Sequence, residues 1–277
     1  MQTINCQGTL IDLSIPRAMG IINVTPDSFY DGGKTRSEKA ILMQAETMLA
    51  EGATFLDVGG YSSRPGAVAI SEDEELQRVL PAIEAILQYF PNALISVDSF
   101  RSTVAKKAVE AGAVMVNDIS GGTLDAKMLA TVSELNVPYI VMHMRGTPQN
   151  MTQLTDYKDS SKELLFYFSE KVAEVRKLGL NDVIVDPGFG FAKTRSQNFE
   201  LLNNLELFKM LEVPYLVGIS RKSMIYKTLE TSVENALNGT TVLHSVALLK
   251  GAAILRVHDV REAVECITLL ENLKGSS

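Results

Sequence analysis

"TFLDVGGYSSRPGAVAISEDEELQRVLPAIEAILQYFPNALISVD", residues 54–98, contains one complete unit of the pattern that the whole chain repeats. A short apolar run, Thr54–Val58, is followed by a loop, an amphipathic stretch at Glu72–Tyr89 and a second apolar run at Leu94–Asp98. Ser71 and Glu74 have the spacing of a capping box at a helix N-terminus. The stretch therefore predicts a strand, a helix and a second strand.

The same alternation continues through the chain, where eight apolar, β-branched runs are separated by longer amphipathic stretches. The runs predicted as strands are Ala18–Asn23, Thr54–Val58, Leu94–Asp98, Val114–Asp118, Tyr139–His143, Val183–Asp186, Tyr215–Gly218 and Ala253–Val257. The stretches predicted as helices include Glu38–Glu51, Glu72–Tyr89, Ser102–Ala111, Ala126–Leu135, Ser161–Leu178, Phe199–Met210 and Gly239–Lys250. A glycine follows several of these helices, where a left-handed residue is expected to end each one: Gly52, Gly112, Gly179 and Gly251.

Eight strand–helix units without a linker predict an α/β fold, a single (β/α)8 TIM barrel that forms one domain over residues 1–277. Residues Met1–Ile15 are predicted to form a short N-terminal hairpin that closes the bottom of the barrel. The alternative is a doubly wound open sheet. That fold usually has a Gly-rich dinucleotide-binding turn after its first strand, and this chain has none.

Composition narrows the class of protein. The 46% apolar residues are typical of a large buried core, and the net charge of −7 argues against nucleic acid or an anionic membrane as a partner. The apolar runs are too short to span a bilayer, and no signal-peptide pattern opens the sequence. Cys6 and Cys266 lie at opposite ends of the chain without metal-type or redox-type spacing, which favours free thiols in the reducing cytoplasm.

Polar side chains recur at the ends of the predicted strands, which is where barrel enzymes carry their catalytic groups. The residues at these positions, most of them charged or amide-bearing, are Asn23, Asp57, Asp98, Asn117, Met142, His143, Asp186, Lys222, Arg256 and His258. Taken alone, Asp98 could cap the next helix and Asn117 could close a turn. Recurrence at nearly every strand favours a site instead, because barrel geometry brings these positions to one mouth.

The chemistry of this set indicates its ligands. Asp98, Asp186 and Asn117 offer donors and acceptors suited to a flat heterocycle such as a pterin, whose N–H groups would satisfy the buried carboxylates. The cations Arg64, Lys222, Arg256 and His258 indicate an anion site, since loops after the seventh and eighth barrel strands often bind phosphate. Lys222 could alternatively form a Schiff base, as strand-end lysines do in barrel aldolases.

Two loops are unusually polar for connections of this kind. "MGIINVTPDSFYDGG", residues 19–33, passes from an apolar run to a long loop with two glycines and two aromatic residues, which predicts a mobile lid. "DVGGYSSRPGA", residues 57–67, combines paired glycines, two serine hydroxyls and an arginine stiffened by proline.

In these two loops, and in "SVDSF", "VNDISGG", "DPGFGFAK", "GISRKS" and "LRVHDV", the chain resembles the dihydropteroate synthase family over nearly its whole length. Two departures are visible. Tyr61-Ser62-Ser63 stands where the family commonly has Glu-Ser-Thr, and "FAK" replaces a commoner Gly-Lys pairing after Phe191. The hydroxyl of Ser63 preserves an anion contact, and the role of Tyr61 is left open.

The resemblance implies a folate-pathway transferase that joins (7,8-dihydropterin-6-yl)methyl diphosphate to 4-aminobenzoate with Mg²⁺, and it suggests a homodimer. It assigns the pterin to Asp98, Asn117, Met142, Asp186 and Lys222. It assigns the diphosphate to Asn23, Ser63, Arg64, Arg256 and His258, with Asn23 also on the metal. It assigns the aminobenzoate to Phe29, Pro65, Phe191, Lys222 and Ser223. The residues implied in catalysis are Asp98, Lys222, Arg256, Phe29 and Arg64.

Loss of diphosphate before attack by the amine is the expected mechanism, with Asp98 stabilising the pterin cation. A pterin-dependent methyltransferase would share the barrel and the pterin floor, but it would leave the Phe29 lid and the Ser-Ser-Arg-Pro loop unexplained. A non-catalytic pterin-binding protein would keep Asp98, Asn117 and Asp186 but could lose the cations, which are all present here.

Overall fold

The computed structural model describes residues 3–24, 34–64 and 66–275, with only the backbone at 34–37 and 274. Within these ranges the chain starts with an antiparallel hairpin of β1 (Thr3–Cys6) and β2 (Thr9–Asp12). The parallel strands are β3 (Arg17–Asn23), β4 (Phe55–Gly59), β5 (Leu94–Asp98), β6 (Met115–Asp118), β7 (Tyr139–Met142), β8 (Val183–Asp186), β9 (Leu216–Val217) and β10 (Ile254–Val257). The α-helices are α1 (Lys34–Ala50), α2 (Glu72–Tyr89), α3 (Ser102–Glu110), α4 (Met128–Leu135), α5 (Ser160–Lys177), α6 (Arg195–Asn203), α7 (Ser223–Tyr226), α8 (Leu237–Leu249) and α9 (Val260–Gly275).

The eight parallel strands form one sheet in the order β8-β7-β6-β5-β4-β3-β10-β9. A parallel bridge between Val185 and Tyr215 joins β8 to the residue before β9, at the two edges of that sheet. The sheet is therefore closed into a barrel with the helices around it. The TIM-barrel prediction is confirmed, and the doubly wound alternative is wrong.

The hairpin lies under the barrel, as predicted. Ile4, Cys6 and Leu13 belong to one apolar cluster with the inward side chains at the lower ends of the strands, which include Met19, Phe55, Met115, Ile140, Ile184, Leu216 and Ile254. The next residue along several strands belongs to the second cluster, between the sheet and the helices, as Leu56 and Leu255 do. This alternation follows from the two-residue period of a strand.

Most predicted boundaries are accurate because they rest on local chemistry. Every barrel strand lies within one residue of its predicted ends. The four glycines expected to end helices all have positive φ, from +87° to +109°. The hydroxyl of Ser71 accepts from the backbone N–H of Glu74 at 3.1 Å, so the cap is confirmed. The Glu74 carboxylate contacts Arg78 instead of completing the capping box.

The helix predicted over Phe199–Met210 is wrong. The chain forms α6 earlier, because Thr194 and Gln197 make a full capping box at its start. Asn204 then separates α6 from a 3-10 helix at Leu205–Leu211. The described residues contain no helix long and apolar enough to cross a membrane.

Candidate active site

The inward positions of the barrel strands change from apolar to polar toward the carboxyl ends. Phe55 is followed two residues later by Asp57, Met115 by Asn117, Ile184 by Asp186 and Ile254 by Arg256. Since side chains two residues apart share a face of the strand, each polar group stands directly above an apolar one. The barrel thus carries a polar layer on a sealed apolar base.

Sheet register brings three of the predicted residues to one level of the mouth. Asn23 pairs with Gly59, Gly59 with Asp98, and Asp98 with Asn117. A β-carbon on Gly59 would lie only 3.2 Å from that of Asp98. Glycine at this position therefore leaves the Asp98 side chain room to face the mouth.

Arg256 links two carboxylates within this layer. Its Nε donates to Oδ2 of Asp57 at 2.5 Å, and its Nη2 donates to Oδ2 of Asp98 at 2.7 Å. The amide of Asn117 donates to the same Asp57 oxygen at 3.0 Å. Asp57 is completely buried, and its Oδ1 has no hydrogen-bond partner among the described residues. The two predicted subsites, pterin floor and anion site, therefore share one network.

Asp57 is the main residue to which the sequence assigned no role. It lies inside the barrel one layer below Asp98 and neutralises part of the Arg256 charge. The signal for it was an acidic residue inside an otherwise apolar strand, since a buried carboxylate is stable only when it is paired.

Two opposing effects act on the pKa of the Asp98 carboxyl group, namely its burial and the charge of Arg256. Burial raises the pKa of Asp98 to about 7, although the nearby Arg256 guanidinium opposes this shift. The carboxyl group therefore changes its charge near neutral pH, which matters for any ligand that donates a hydrogen bond to it.

Asp186, which is buried, and Lys222, which is half-buried, lie close enough for each charge to influence the pKa of the other. Oδ1 of Asp186 accepts from the backbone N–H of Gly188 at 2.8 Å, and Nζ of Lys222 donates to the carbonyl of Phe189. Burial lowers the pKa of Lys222 to about 8, against the effect of the Asp186 charge. The ammonium also lies 4.9 Å from the centroid of the Phe191 ring.

The cations of the predicted anion site lie beside this pair. Nδ1 of His258 lies 3.0 Å from the hydroxyl of Ser220, which also accepts from the His258 backbone N–H at 3.2 Å. The pKa of His258 is lowered by desolvation first and then by charges that include Arg256 and Arg64. Arg64, which is exposed, is thus close enough to His258 for its charge to affect the pKa of the imidazole.

The loop of residues 219–223 is held by Arg221. Its Nε and Nη2 donate to the two carboxylate oxygens of Asp259, both at 2.8 Å, and its backbone is left-handed with φ +53°. Lys222 and the exposed Ser223, the first residue of α7, follow directly. Arg221 thereby connects the Lys222 loop with the loop that carries His258.

An apolar cluster borders the polar layer. Met142, at the end of β7, is buried with Ile119, Met144, Met151 and Ala192, and Phe100 and Phe191 pack against them. Thioether side chains adapt to irregular shapes and contact aromatic rings favourably. The mouth thus offers hydrogen-bonding edges beside an apolar wall, which is the arrangement a flat polar heterocycle requires.

Lys193 is a second residue that the sequence did not single out. Its buried ammonium lies 3.0 Å from the carbonyl of Gly188, 3.1 Å from that of Phe191 and 3.2 Å from Nδ1 of His143. Burial lowers the pKa of Lys193 to about 7 and that of His143 to about 2. The imidazole is therefore neutral, and Lys193 holds the loop that separates Asp186 from Phe191.

The remaining predicted residues are placed as follows. Asn23 and Ser63 are half-buried near the mouth, whereas Phe29 and Pro65 lie outside the described residues.

Among the described residues, no three His, Cys, Asp or Glu side chains form a metal cluster. Mg²⁺ often keeps several waters and binds through one or two protein oxygens plus substrate phosphates. The single amide oxygen of Asn23 fits that type of site.

A family model, a sequence relative and two solved structures all match this chain over most of its length. The family model described as pterin binding enzyme matches residues 19–258. The dihydropteroate synthase of Escherichia coli K12 is 43% identical over 267 residues, which are 96% of this chain and 94% of that protein. Xanthomonas albilineans dihydropteroate synthase with 4-aminobenzoic acid superposes with a TM-score of 0.91 at 37% identity, covering 98% of both chains. Its complex with 7,8-dihydropteroate gives a TM-score of 0.88 at 35% identity, again with 98% of both chains covered.

Proposed function

The chain belongs to the pterin-binding enzymes and, among them, to the dihydropteroate synthases, and from this premise we propose how its residues perform the reaction. The enzyme condenses (7,8-dihydropterin-6-yl)methyl diphosphate with 4-aminobenzoate and gives 7,8-dihydropteroate and pyrophosphate. It is a transferase of folate biosynthesis.

One observation carries the assignment of roles: Arg256 touches Asp98 in the same mouth where Asp186 faces Lys222. A neutral pterin ring and a highly charged diphosphate must bind side by side in this reaction. A layer in which carboxylates and cations lie next to one another provides for both. It also places the bond between ring and diphosphate at their boundary.

The pterin lies with its polar edge against the carboxylates. Asp98 and Asp186 accept hydrogen bonds from ring N–H and amino groups, and the amide of Asn117 completes the edge. Lys222 donates to a ring acceptor, and Met142 with its apolar neighbours covers one face of the ring. These contacts satisfy buried carboxylates that would otherwise be costly.

The diphosphate lies against the cations. Arg256, Arg64 and His258 donate to its oxygens, together with the hydroxyl of Ser63. The pKa of His258 is lowered without ligand, and its ring N–H can donate to phosphate whether the imidazole is neutral or charged. Asn23 would hold Mg²⁺ through its amide oxygen, and the ion when bound would neutralise charge on the leaving diphosphate.

The chemical step breaks the bond between the methylene carbon and the diphosphate oxygen, and the electron pair leaves with the diphosphate. Arg256 and Arg64 stabilise the negative charge that develops on the leaving group. The ionised Asp98 stabilises the delocalised pterin cation. The neutral amine of 4-aminobenzoate then attacks the methylene carbon and loses a proton, and it needs no strong general base.

The aminobenzoate binds at the outer edge of the mouth. Phe191 provides an aromatic wall next to the Lys222 ammonium, and Ser223 offers a hydroxyl and a backbone N–H at the start of α7. The family resemblance also assigns Phe29 and Pro65 to this ring, and both lie outside the described residues.

We also infer a cytoplasmic homodimer. The two cysteines are both free and buried, as in proteins of reducing compartments. The neighbouring helices α8 and α9 expose Val242, Leu249, Leu269 and Leu273, which would form an apolar surface for a second copy. Sedimentation of the purified protein tests this, and a monomer at high micromolar concentration would contradict it.

Turnover is tested by supplying both substrates and following pyrophosphate release and 7,8-dihydropteroate formation together. Both products should appear in equal amounts and should require Mg²⁺, with loss on chelation and recovery on its return. The Lys222→Met variant, which keeps the length of the stem, should fold and lose most activity. Binding of pterin without any Mg²⁺-dependent release would instead support a non-catalytic pterin-binding protein.

A further inference from the structure

Tyr61 is the first residue of the segment 61–70, which leads from β4 to α2 and carries Ser63 and Arg64. Its side chain is only 9% exposed, whereas Ser62 and Ser63 are half-buried and Arg64 is exposed. The segment thus begins at a buried residue and becomes more exposed from Tyr61 to Arg64.

The Tyr61 side chain joins loops that follow three different strands. Its ring contacts that of Phe100 edge to face, with centroids 5.0 Å apart, and Phe100 lies just beyond β5. Its hydroxyl accepts from Nε2 of Gln149 at 2.8 Å, in the loop after β7. An aromatic pair and a hydrogen bond to one side chain fix both the position and the rotation of the ring.

Arg101 holds the same segment at its other end. Its guanidinium lies 5.5 Å from the centroid of Tyr61 and 5.3 Å from that of Phe100. Its Nη2 donates to the carbonyl of Ile70 at 2.6 Å, and its Nη1 pairs with the fully buried Glu75 at 2.6 Å. One arginine therefore contacts both the first and the last residue of the segment.

Arg64 has no ion-pair partner among the residues described. Its position relative to His258 therefore depends on the backbone that carries it, and that backbone is anchored at Tyr61. We propose that Tyr61 is a positioning residue for the diphosphate: by its contacts with Phe100, Arg101 and Gln149 it sets where Ser63 and Arg64 stand over the barrel mouth. This role rests on the proposed function.

The contacts of Tyr61 also account for the absence of the glutamate that the family commonly has at position 61. A carboxylate at 61 would compete with Glu75 for Arg101. The tyrosine instead offers its ring face to the guanidinium and leaves the charge pairing of Glu75 intact. Tyr61 and its neighbours Phe100 and Arg101 thus act as a set.

Three variants distinguish the contribution of the Tyr61 ring from that of its hydroxyl group: Tyr61→Leu, Tyr61→Phe and Gln149→Leu. Tyr61→Leu should raise KM for the dihydropterin diphosphate by about tenfold, because the anion-binding groups are displaced, with a smaller change in kcat. Tyr61→Phe and Gln149→Leu should each raise it by about fivefold, the usual effect of one hydrogen bond. The double variant Tyr61→Phe/Gln149→Leu should be no worse than either single one.

Direct titrations provide the readout that a merely structural role would not give. The affinity for pyrophosphate with Mg²⁺ should fall in each variant, while the affinity for a pterin without diphosphate stays within about twofold. Equal losses for both ligands, or an unchanged KM in Tyr61→Leu, would overturn the proposal. If Tyr61→Leu does not fold, the same measurements on Tyr61→Phe and Gln149→Leu still test the proposal. The pterin titration needs no turnover, so failure of the proposed reaction would be recognised separately in the wild-type assay.

Discussion

Nη2 of Arg256 lies 2.7 Å from Oδ2 of Asp98, so the cation proposed for the leaving diphosphate is held by the carboxylate proposed for the pterin. The two subsites are therefore joined by an ion pair. Occupation of one changes the electrostatic environment of the other, because diphosphate would compete with Asp98 for the Arg256 charge. Release of Asp98 from Arg256 would leave its carboxylate free to face the pterin.

This relationship predicts the behaviour of Arg256→Ala. The variant should weaken the diphosphate substrate strongly, and it should also weaken a pterin without diphosphate, because Asp98 and Asp57 lose their counter-charge. It should reduce the free energy of unfolding by about 3–5 kcal/mol, the usual effect of leaving a buried charge unpaired. Calorimetric titration and urea unfolding measure these effects.

Arg64→Ala is the matched control, since Arg64 is exposed and unpaired among the residues described. It should weaken the diphosphate substrate and leave both pterin affinity and stability nearly unchanged. If Arg256→Ala behaved in the same way, the ion pair with Asp98 would have no energetic role.

Asp98 and Lys222 predict how pterin affinity depends on pH. Asp98 accepts hydrogen bonds at both oxygens, and most strongly, only when it is ionised. Because its pKa is raised to about 7, pterin affinity should rise as the pH increases through that value. Lys222 loses its charge above about 8, so affinity should fall again on the alkaline side. A pterin without diphosphate avoids titration of the phosphate groups, and calorimetry across this range gives the profile.

The variants assign the two limbs of this profile. Asp98→Asn should flatten the acid limb, apart from any contribution of Asp186, whose pKa burial also raises. Lys222→Met should remove the alkaline limb. An acid limb that persists unchanged in Asp98→Asn would mean that another group titrates there.

The left-handed backbone of Arg221 predicts a third result. A residue with a β-carbon at φ +53° is strained by roughly 1–2 kcal/mol, and here the pairing with Asp259 holds it in place. Arg221→Ala and Arg221→Gly both remove the pairing, but only alanine keeps the strain. We expect both variants to be destabilised in urea unfolding and to bind pterin less well, with alanine the less stable. Equal stabilities would show that the backbone at 221 relaxes once the pairing is gone.

The sequence predicted the barrel well because its signals are local and repeated. The apolar run at Leu94–Asp98 and the cap at Ser71 specify elements without reference to the rest of the chain, and eight such units permit few arrangements. The failure at Phe199–Met210 has the same origin. Its helical periodicity was read correctly, but the competing capping box at Thr194 moved the helix toward the N-terminus.

The polar residues at the strand ends predicted where the site lies. The pairing of side chains within the site could not be predicted from the sequence. Arg256 and Asp57 are 199 residues apart in sequence, and only the closed barrel brings them together. Lys193 was not singled out from the sequence, because its partners are two backbone carbonyls and the distant His143. Tyr61 was recognised as a departure, but its partners Phe100 and Gln149 lie in other loops.

The loop of residues 19–33 predicts the order of binding. The part of this range beyond β3, residues 24–33, has the sequence VTPDSFYDGG, and its three large apolar side chains are too few to predict a closed loop without a ligand. Pyrophosphate with Mg²⁺ would give it something to close on through Asn23, while Ser63 and Arg64 bind from the second loop. The lid interpretation requires a closed loop for Phe29 to reach the aminobenzoate, and it therefore predicts that this substrate binds the free enzyme weakly.

The expected increase in 4-aminobenzoate affinity is at least about tenfold once pterin, pyrophosphate and Mg²⁺ are present, and by linkage the aminobenzoate should strengthen pyrophosphate retention by the same factor. Calorimetric titration with and without pyrophosphate measures both directions of this coupling. Phe29→Ala should abolish the increase and leave pterin affinity unchanged if Phe29 acts, as the family resemblance implies, on the second substrate alone. Tyr30→Ala, the adjacent aromatic residue, is the matched control and should retain it. Equal affinity of the wild-type protein for 4-aminobenzoate in both titrations would mean that the pocket is preformed, and the lid interpretation of residues 19–33 would then be wrong.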